Sequence, residues 1–84
     1  MSELPVVSLL YTQVGCAEST KVRTWLTRHG ITFIERNVNA DPKAAQELAA
    51  TGAFATPLLV TGDDRLLGFR EQALAALLGD GDVS

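Results

Sequence analysis

The sequence predicts a three-layer α/β domain, in which helices cover both faces of a four-stranded sheet. Short β-rich runs alternate with amphipathic stretches along the first half of the chain, and two brief strands adjoin near residue 60 before a last amphipathic stretch. Parallel strands need a long crossover, whereas a connection of a few residues joins antiparallel strands. The predicted order is therefore β1-α1-β2-α2-β3-β4-α3, with a mixed sheet.

The first predicted strand leads directly into a helix through a loop that contains a cysteine. Residues 6–12, VVSLLYT, are apolar at nearly every position, which is typical of a central strand covered on both faces. The helix begins at Cys16 and ends at Gly30, which stands where a left-handed cap is needed. Its inward positions fall on one helical face: Val22, Trp25, Leu26 and His29.

The second strand and second helix have clear boundary residues. Residues 31–36, ITFIER, predict the strand. Asp41 is the predicted N-cap of the following helix, and Pro42 occupies the first helical position. The backbone N–H at this position has no acceptor within the helix, so its absence in proline costs no hydrogen bond. The helix is predicted to reach Thr51, and Gly52 closes it.

The last third of the chain predicts a hairpin and a helix. Residues 57–60 and 65–69 form two short strands, and the turn-rich tetrapeptide at 61–64 makes the pair antiparallel. The third helix ends at Gly79, and its apolar positions are Leu74, Leu77 and Leu78. We expect one domain over residues 1–84, with a core at 5–78 and a frayed tail at 79–84.

The bulk composition narrows the function classes. Eighty-four residues with 46% hydrophobic content suit one compact core. The single Cys and single His cannot supply an internal disulfide or a structural zinc site, so we expect no bound metal. A net charge of −3, without a basic face, argues against a nucleic-acid partner. The N-terminus matches neither a signal peptide nor a membrane span, so we expect a cytoplasmic location.

Cys16 is placed where a thiol becomes reactive. Unpaired N–H groups at a helix start stabilise a thiolate and lower its pKa, typically to about 3.5 to 7.5 at such sites. Gly15 lets the backbone bend at the strand end, and Ala17 leaves the approach to sulfur uncrowded. A free cysteine is also among the most buried residue types, so a purely structural Cys16 remains an alternative at this point.

The Thr56-Pro57 dipeptide immediately before the third strand is a second candidate feature. A cis bond is one way to set this tight entry, although a trans proline that ends a loop is the commoner arrangement. A cis bond would expose the Thr56 backbone, which could hold an extended substrate by strand-like hydrogen bonds beside the sulfur.

Three stretches together carry a family likeness: Tyr11 to Cys16, Ala55-Thr56-Pro57, and Leu67 to Arg70. Over residues 5–78 the chain resembles glutaredoxins and the small glutaredoxin-like redoxins that serve ribonucleotide reductase. The resemblance implies a thioredoxin-like fold with strand order 2-1-3-4, Cys16 as nucleophile and Pro57 as a cis-proline. It also implies a substrate site that is formed by Thr56, Pro57, Gly68, Phe69 and Arg70. Glutathione or a protein disulfide is the implied substrate.

The candidate active-site loop around Cys16 consists of Gln13, Val14, Gly15, Ala17, Glu18 and Ser19, and some of these residues depart from the family pattern. Ser19 replaces the resolving cysteine of dithiol members, so Cys16 has no internal thiol to receive its mixed disulfide. Gln13 lies where many glutaredoxins carry a lysine for the glutathione carboxylate, which predicts weaker capture. A negative Glu18 beside the thiolate is expected to oppose its ionisation.

Further departures concern the last helix and the iron–sulfur members. Arg70 and Glu71 stand where glutaredoxins usually place acidic residues for the γ-glutamyl end, although helix-start N–H groups around Arg70 could still bind a carboxylate. Cluster-carrying monothiol members have Gly-Phe between Cys and Ser, whereas this chain has Ala17-Glu18.

Other conspicuous residues favour structural roles. We expect Trp25 to pack against the sheet, His29 to lie near a helix C-terminus without pairing to Cys16, and Asp63-Asp64 to serve turn chemistry.

The sequence therefore predicts a monothiol glutaredoxin-like thiol–disulfide oxidoreductase, which binds no cofactor and uses glutathione or another small thiol as cosubstrate. The expected partners are that thiol and a disulfide-bearing protein, and the expected state is a monomer. Two alternatives stay open. One is a non-catalytic binding or assembly module, and the other is a dimeric iron–sulfur carrier with two Cys16 thiolates and two external thiols.

Overall fold

Seven elements occur in the predicted order along the chain, and the computed structural model describes residues 8–53, 55–62 and 64–78. The sheet order is β2-β1-β3-β4, with β1 and β2 parallel and the other two pairs antiparallel. The fold prediction is confirmed. The elements are β1 Ser8–Thr12, α1 Ala17–Arg28, β2 Phe33–Asn37, α2 Pro42–Ala50, β3 Leu58–Thr61, β4 Asp64–Leu67 and α3 Glu71–Leu78.

Three sequence predictions lie outside the described residues. These are the start of the first strand at residues 6 and 7, the turn residue Asp63, and the end of the last helix at Gly79 with the tail that follows. Within the described ranges, no helix is long and apolar enough to cross a bilayer.

Alternation along β1 divides the core between the two faces of the sheet. Leu10 packs with α1 and α3 in a cluster that includes Trp25, Leu26 and Leu74. Tyr11, its neighbour in the strand, packs on the opposite face with Leu48 of α2. Successive strand side chains point to opposite faces, so the central strand contributes to both layers, as its apolar sequence predicted.

The end of α1 corrects one predicted boundary. The Gly30 N–H donates to Thr27 O over 3.1 Å, and the Ile31 N–H donates to Leu26 O over 2.9 Å. Gly30 has a φ of 68°, so these bonds form a Schellman cap. The prediction of a strand from residue 31 is wrong, because Ile31 closes the helix and β2 begins at Phe33.

Helix α2 begins as its sequence predicted and is tied to the sheet by a carboxylate. The Asp41 side chain accepts a hydrogen bond of 3.0 Å from Lys43 N, and Pro42 follows it as the first helical residue. Glu47 accepts two hydrogen bonds from the Arg36 guanidinium, at 3.0 and 2.7 Å, and a third from the Tyr11 hydroxyl at 3.1 Å. This network joins α2 to β2 and β1.

The hairpin strands lie closer to the turn than predicted, because Thr61 is the last residue of β3 and Asp64 the first residue of β4, although both were predicted to belong to the turn. β3 begins at Leu58 and β4 ends at Leu67, so Pro57 and residues 68 and 69 belong to loops. The Gly68 N–H donates to Pro57 O over 2.8 Å, and Gly68 has a φ of 81°. This positive φ ends the strand and turns the chain toward α3.

Candidate active site around Cys16

Cys16 is the N-cap residue of α1, with φ −89° and ψ 110°. Its N–H donates to Gln13 O over 3.2 Å, which closes a turn in which Gly15 has a φ of 80°. A third turn residue with positive φ is typical of a type II turn and favours glycine. This β-turn therefore places Cys16 at the start of α1, where its backbone carbonyl accepts the Thr20 N–H over 3.3 Å.

Several hydrogen-bond donors surround the Cys16 sulfur. The Ser19 side chain, and after it the Ser19 backbone N–H, lower the pKa of the Cys16 thiol because they favour the thiolate. The Thr56 side chain and the Glu18 backbone N–H lower this pKa further, and partial desolvation opposes them. Helix-start donors favour the thiolate over the thiol, so Cys16 has the electrostatic setting of a nucleophile.

Ser19 is a buried serine whose hydroxyl lacks an ordinary partner. The residue is 1% exposed, and within the described residues its Oγ has no hydrogen-bond acceptor. Buried hydroxyls are normally satisfied, and an unpaired one needs a physical explanation. The Cys16 sulfur, one helical turn away, supplies that explanation, because a thiolate accepts strongly where a thiol accepts weakly.

Glu18 has two groups near the site, and the expected effect of its charge on Cys16 stays a prediction. The sequence predicted that its charge would oppose ionisation of Cys16. In the structure its backbone N–H favours the thiolate, and its carboxylate Oε1 lies beside Gly68, 3.4 Å from where a Cβ on that residue would stand. The carboxylate therefore contacts the loop before α3.

The Thr56–Pro57 peptide bond is cis, as the family resemblance implied. Pro57 is fully buried, and Thr56 O lies 3.8 Å from the Cys16 sulfur, within reach of the thiol proton. The Thr56 hydroxyl donates to Gln13 Oε1 over 3.1 Å. The loop before β3 and the loop after β1 are thus joined directly beside the cysteine.

The other predicted site residues lie in the segment between β4 and α3. The Gly68 N–H is bonded to Pro57 O, the Glu18 carboxylate lies near Gly68, and Phe69 packs partly against the core under α1. The Arg70 side chain is exposed, and no ion pair links it to another described residue. Its backbone carbonyl accepts the Leu74 N–H over 2.9 Å, which starts α3.

One site residue escaped the sequence analysis. Asn39 lies in the loop between β2 and α2. Its Oδ1 accepts the Val14 N–H over 2.6 Å, and this bond supports the turn before Cys16. The Val14 side chain, in the turn that leads to Cys16, is 73% exposed. In the sequence, Asn39 stands between the predicted second strand and the predicted N-cap Asp41, so it has no role in either element. An asparagine in such a position could have indicated a side chain that bonds to another loop. Among the described residues, no three His, Cys, Asp or Glu side chains converge as a metal site.

The fold and this cysteine site together define a redoxin of the thioredoxin-like class. The family model described as Glutaredoxin matches residues 9–66, and the chain belongs to the glutaredoxin family. Family membership places it among the thiol–disulfide oxidoreductases.

Two solved structures and one curated relative are similar to the chain. The glutaredoxin-like protein NrdH of Lactococcus lactis subsp. cremoris is 31% identical over 68 residues, covering 81% of this chain and 94% of that protein. The glutaredoxin-like NrdH-redoxin of Escherichia coli, described as having a thioredoxin-like activity profile, is 28% identical with a TM-score of 0.76, covering 84% and 93%. The thioredoxin-like protein BC3987 is 26% identical with a TM-score of 0.80, covering 84% and 99%.

Proposed function

We propose that this protein is a monothiol oxidoreductase that transfers glutathionyl groups from mixed disulfides through Cys16. The observation that carries the proposal is the pairing of Cys16 with a buried serine hydroxyl where a second thiol would stand. Ser19 supports formation of the thiolate and cannot itself accept a disulfide.

The first step forms a mixed disulfide on the enzyme. The Cys16 thiolate attacks the glutathionyl sulfur of a protein–glutathione disulfide, the old S–S bond breaks, and the protein leaves as a thiolate that takes a proton from water. Cys16 is then oxidised to its glutathione disulfide, and the protein cysteine is reduced.

The second step uses an external thiol, because the chain has one cysteine. A second glutathione, as its thiolate, attacks the glutathionyl sulfur on Cys16. Oxidised glutathione leaves, and the Cys16 thiolate returns. The net reaction converts one protein–glutathione disulfide and one glutathione into a protein thiol and one glutathione disulfide, so the protein cysteine is reduced and the free glutathione becomes one half of the product disulfide.

The surroundings of the sulfur support an extended thiol substrate. The backbone at Thr56 lies next to Cys16, and strand-like hydrogen bonds to such an edge can hold a peptide in line with the attacking sulfur. The Thr56 hydroxyl occupies the Gln13 side-chain carbonyl, so only the neutral amide N–H groups of Gln13 remain to meet a carboxylate. We therefore expect backbone contacts to dominate glutathione binding.

The test is turnover of a synthetic peptide that carries one glutathionylated cysteine, with glutathione as reductant. We expect release of the free peptide, and trapping without added glutathione should give one glutathione attached to Cys16 by mass spectrometry. Cys16→Ser removes the thiol at nearly constant volume and is the matched control, which should show neither product. An unmodified Cys16 in the trapping experiment, together with no turnover, contradicts the proposal and favours the binding-module alternative.

A further inference from the structure

A cavity of about 350 Å³ lies between α1 and the loop that leads into α3. Trp25 and Phe69 supply its aromatic walls. The His29 ring stacks on the Trp25 ring, with centroids 3.8 Å apart and 19° between their planes. Its Nδ1 lies 2.9 Å from Trp25 O, so this bond holds the imidazole in place over the indole. The cavity therefore has a preformed apolar wall.

Unpaired positive charge collects around this cavity. Lys21 and Arg28 line it, and neither forms an ion pair with another described residue. Arg70, equally without an ion-pair partner among the described residues, stands between the lining residues Phe69 and Glu71. The Glu71 carboxylate also lines the cavity, so Lys21 and Arg28 leave the lining with an excess of one positive charge, whereas the chain as a whole carries a net charge of −3.

Four cations lie elsewhere: two form ion pairs, Arg65 donates to Thr51 O over 3.0 Å, and Lys43 has no ion-pair partner among the described residues. Arg36 pairs with Asp41 and Glu47, at 3.4 and 2.7 Å, and Arg23 lies 3.6 Å from Glu35. Lys43 shares the lack of an ion pair with Lys21 and Arg28, so what distinguishes the latter two is their position in the lining of the cavity. A charged group without an internal partner is free to meet an opposite charge on another molecule, and such charges guide encounter.

The cavity begins one helical turn from the reactive sulfur. The lining residues on α1 run from Thr20 to Arg28, which places them about 6 to 18 Å from Cys16 along the helix axis at about 1.5 Å per residue. An extended peptide advances about 3.3 Å per residue. A peptide whose cysteine is joined to Cys16 can therefore place a side chain about two to five residues away in this cavity.

We infer that this cavity docks an acidic segment of the disulfide-bearing protein, with an aromatic or branched apolar side chain between Trp25 and Phe69 and carboxylates facing Lys21 and Arg28. The inference rests on the proposed function, since the docked protein presents its disulfide to Cys16. The aromatic walls favour an apolar side chain, and the unpaired cations favour acidic residues next to it. The distance between Cys16 and the cavity requires a ligand as long as a polypeptide segment.

The experiment compares two glutathionylated peptides with the same cysteine and the same phenylalanine. In one, the residues around the phenylalanine are aspartate and glutamate, and in the other they are lysine. The measured quantity is the ratio of kcat/KM for the acidic peptide to that for the basic peptide. We expect a ratio of at least about three, because an exposed charge pair contributes up to about a five-fold preference, and we expect the ratio to fall as salt is raised.

Lys21→Glu and Lys43→Glu form a matched pair of variants. Both change the net charge equally, but Lys43 lies on α2, which packs against the opposite face of the sheet. We expect Lys21→Glu to abolish or invert the preference for the acidic peptide and Lys43→Glu to preserve it. Equal ratios in the two variants, or a wild-type ratio near one, overturn the inference.

A binding readout separates this inference from the proposed function. The acidic peptide with serine in place of its cysteine should shift the amide signals of Thr24, Arg28 and His29 in the wild-type protein. If these shifts occur while neither glutathionylated peptide is turned over, docking stands and the redox proposal fails. If both peptides are turned over at equal rates without the shifts, or if inorganic phosphate produces the same shifts as the peptide, the docking inference fails and the redox proposal stands.

Discussion

The Gln13 side-chain carbonyl accepts a hydrogen bond from the Thr56 hydroxyl, with Oε1 and Oγ1 3.1 Å apart. The bond joins residues that are 43 positions apart in the chain and lie on either side of Cys16. A hydroxyl has one proton to donate. Thr56 therefore cannot donate to Gln13 and to the Cys16 thiolate at the same time, and Gln13 competes with the sulfur for this proton.

Gln13→Met should lower the pKa of Cys16. Methionine keeps the side-chain length but is only a weak acceptor, so the Thr56 hydroxyl becomes free to stabilise the thiolate. The pKa is measured by thiolate absorbance against pH. In a Thr56→Val background the same Gln13 substitution should leave the pKa unchanged. An equal shift in both backgrounds contradicts the proposed competition.

Ser19→Ala should raise the pKa of Cys16 and at the same time preserve or increase stability at acidic pH. The hydroxyl is the leading cause of the lowered thiol pKa, but in the thiol state it is a buried polar atom without a partner among the described residues. Removing such an atom relieves about 1 kcal/mol or more of desolvation. Urea unfolding at pH 5 and thiolate absorbance give the two values, and a loss of stability with no change in pKa would show that Ser19 has a structural role only.

Ser19→Cys should give the protein an activity that it lacks. Two cysteines spaced C-x-x-C across the first turn of a helix lie within disulfide reach. The variant should form an internal disulfide and should reduce protein disulfides that need a resolving thiol, whereas the native chain should reduce only glutathione mixed disulfides. Insulin reduction compares the two proteins. Equal rates would mean that another molecule resolves the mixed disulfide on Cys16.

The free energy of unfolding should fall at acidic pH, in part because Glu47 becomes protonated. The hydrogen bonds from Arg36 are the main cause that lowers the pKa of the Glu47 carboxyl in the folded protein. A carboxyl with a lowered folded pKa adds stability above its unfolded pKa of about 4.3, and this stability is lost as the pH falls through the folded value. Glu47→Gln should therefore flatten the decline of stability below pH 5.

The control for this effect is Asp64→Asn, at an exposed position in β4 without an ion pair to another described residue. Chemical unfolding is followed from pH 3 to 7 for both variants and the native chain. The contribution is a modest one, because the Glu47 side chain is 42% exposed and solvent screens its ion pair. A decline that is unchanged in Glu47→Gln but reduced in Asp64→Asn contradicts this account.

The elements of the fold were predictable because their signals are local. Apolar runs mark the strands, and Asp41, Pro42 and Gly30 mark helix ends through their own backbone preferences. The boundaries that failed depend on partners distant in sequence or on the cap itself. Gly68 leaves the strand to bond Pro57, and Ile31 serves the helix cap in place of the strand.

The site divides in the same way. Cys16 and the cis Thr56–Pro57 bond were expected from position and family resemblance. Gln13 was expected to weaken glutathione capture, and its hydrogen bond with Thr56 was not foreseen. The support of Val14 by Asn39 went unnoticed as well. No local pattern in a sequence shows which distant polar side chains will meet, since that depends on how the loops are brought together.

The most direct test of the central claim is the rate of Cys16 alkylation by iodoacetamide as a function of pH. Cys16 is the only thiol in the chain, so the rate reports its thiolate fraction without correction for other cysteines. With the Ser19 and helix-start donors in place, the midpoint should lie clearly below that of a free cysteine, about 8.5. A midpoint at or above that value would contradict the assignment of Cys16 as an activated nucleophile.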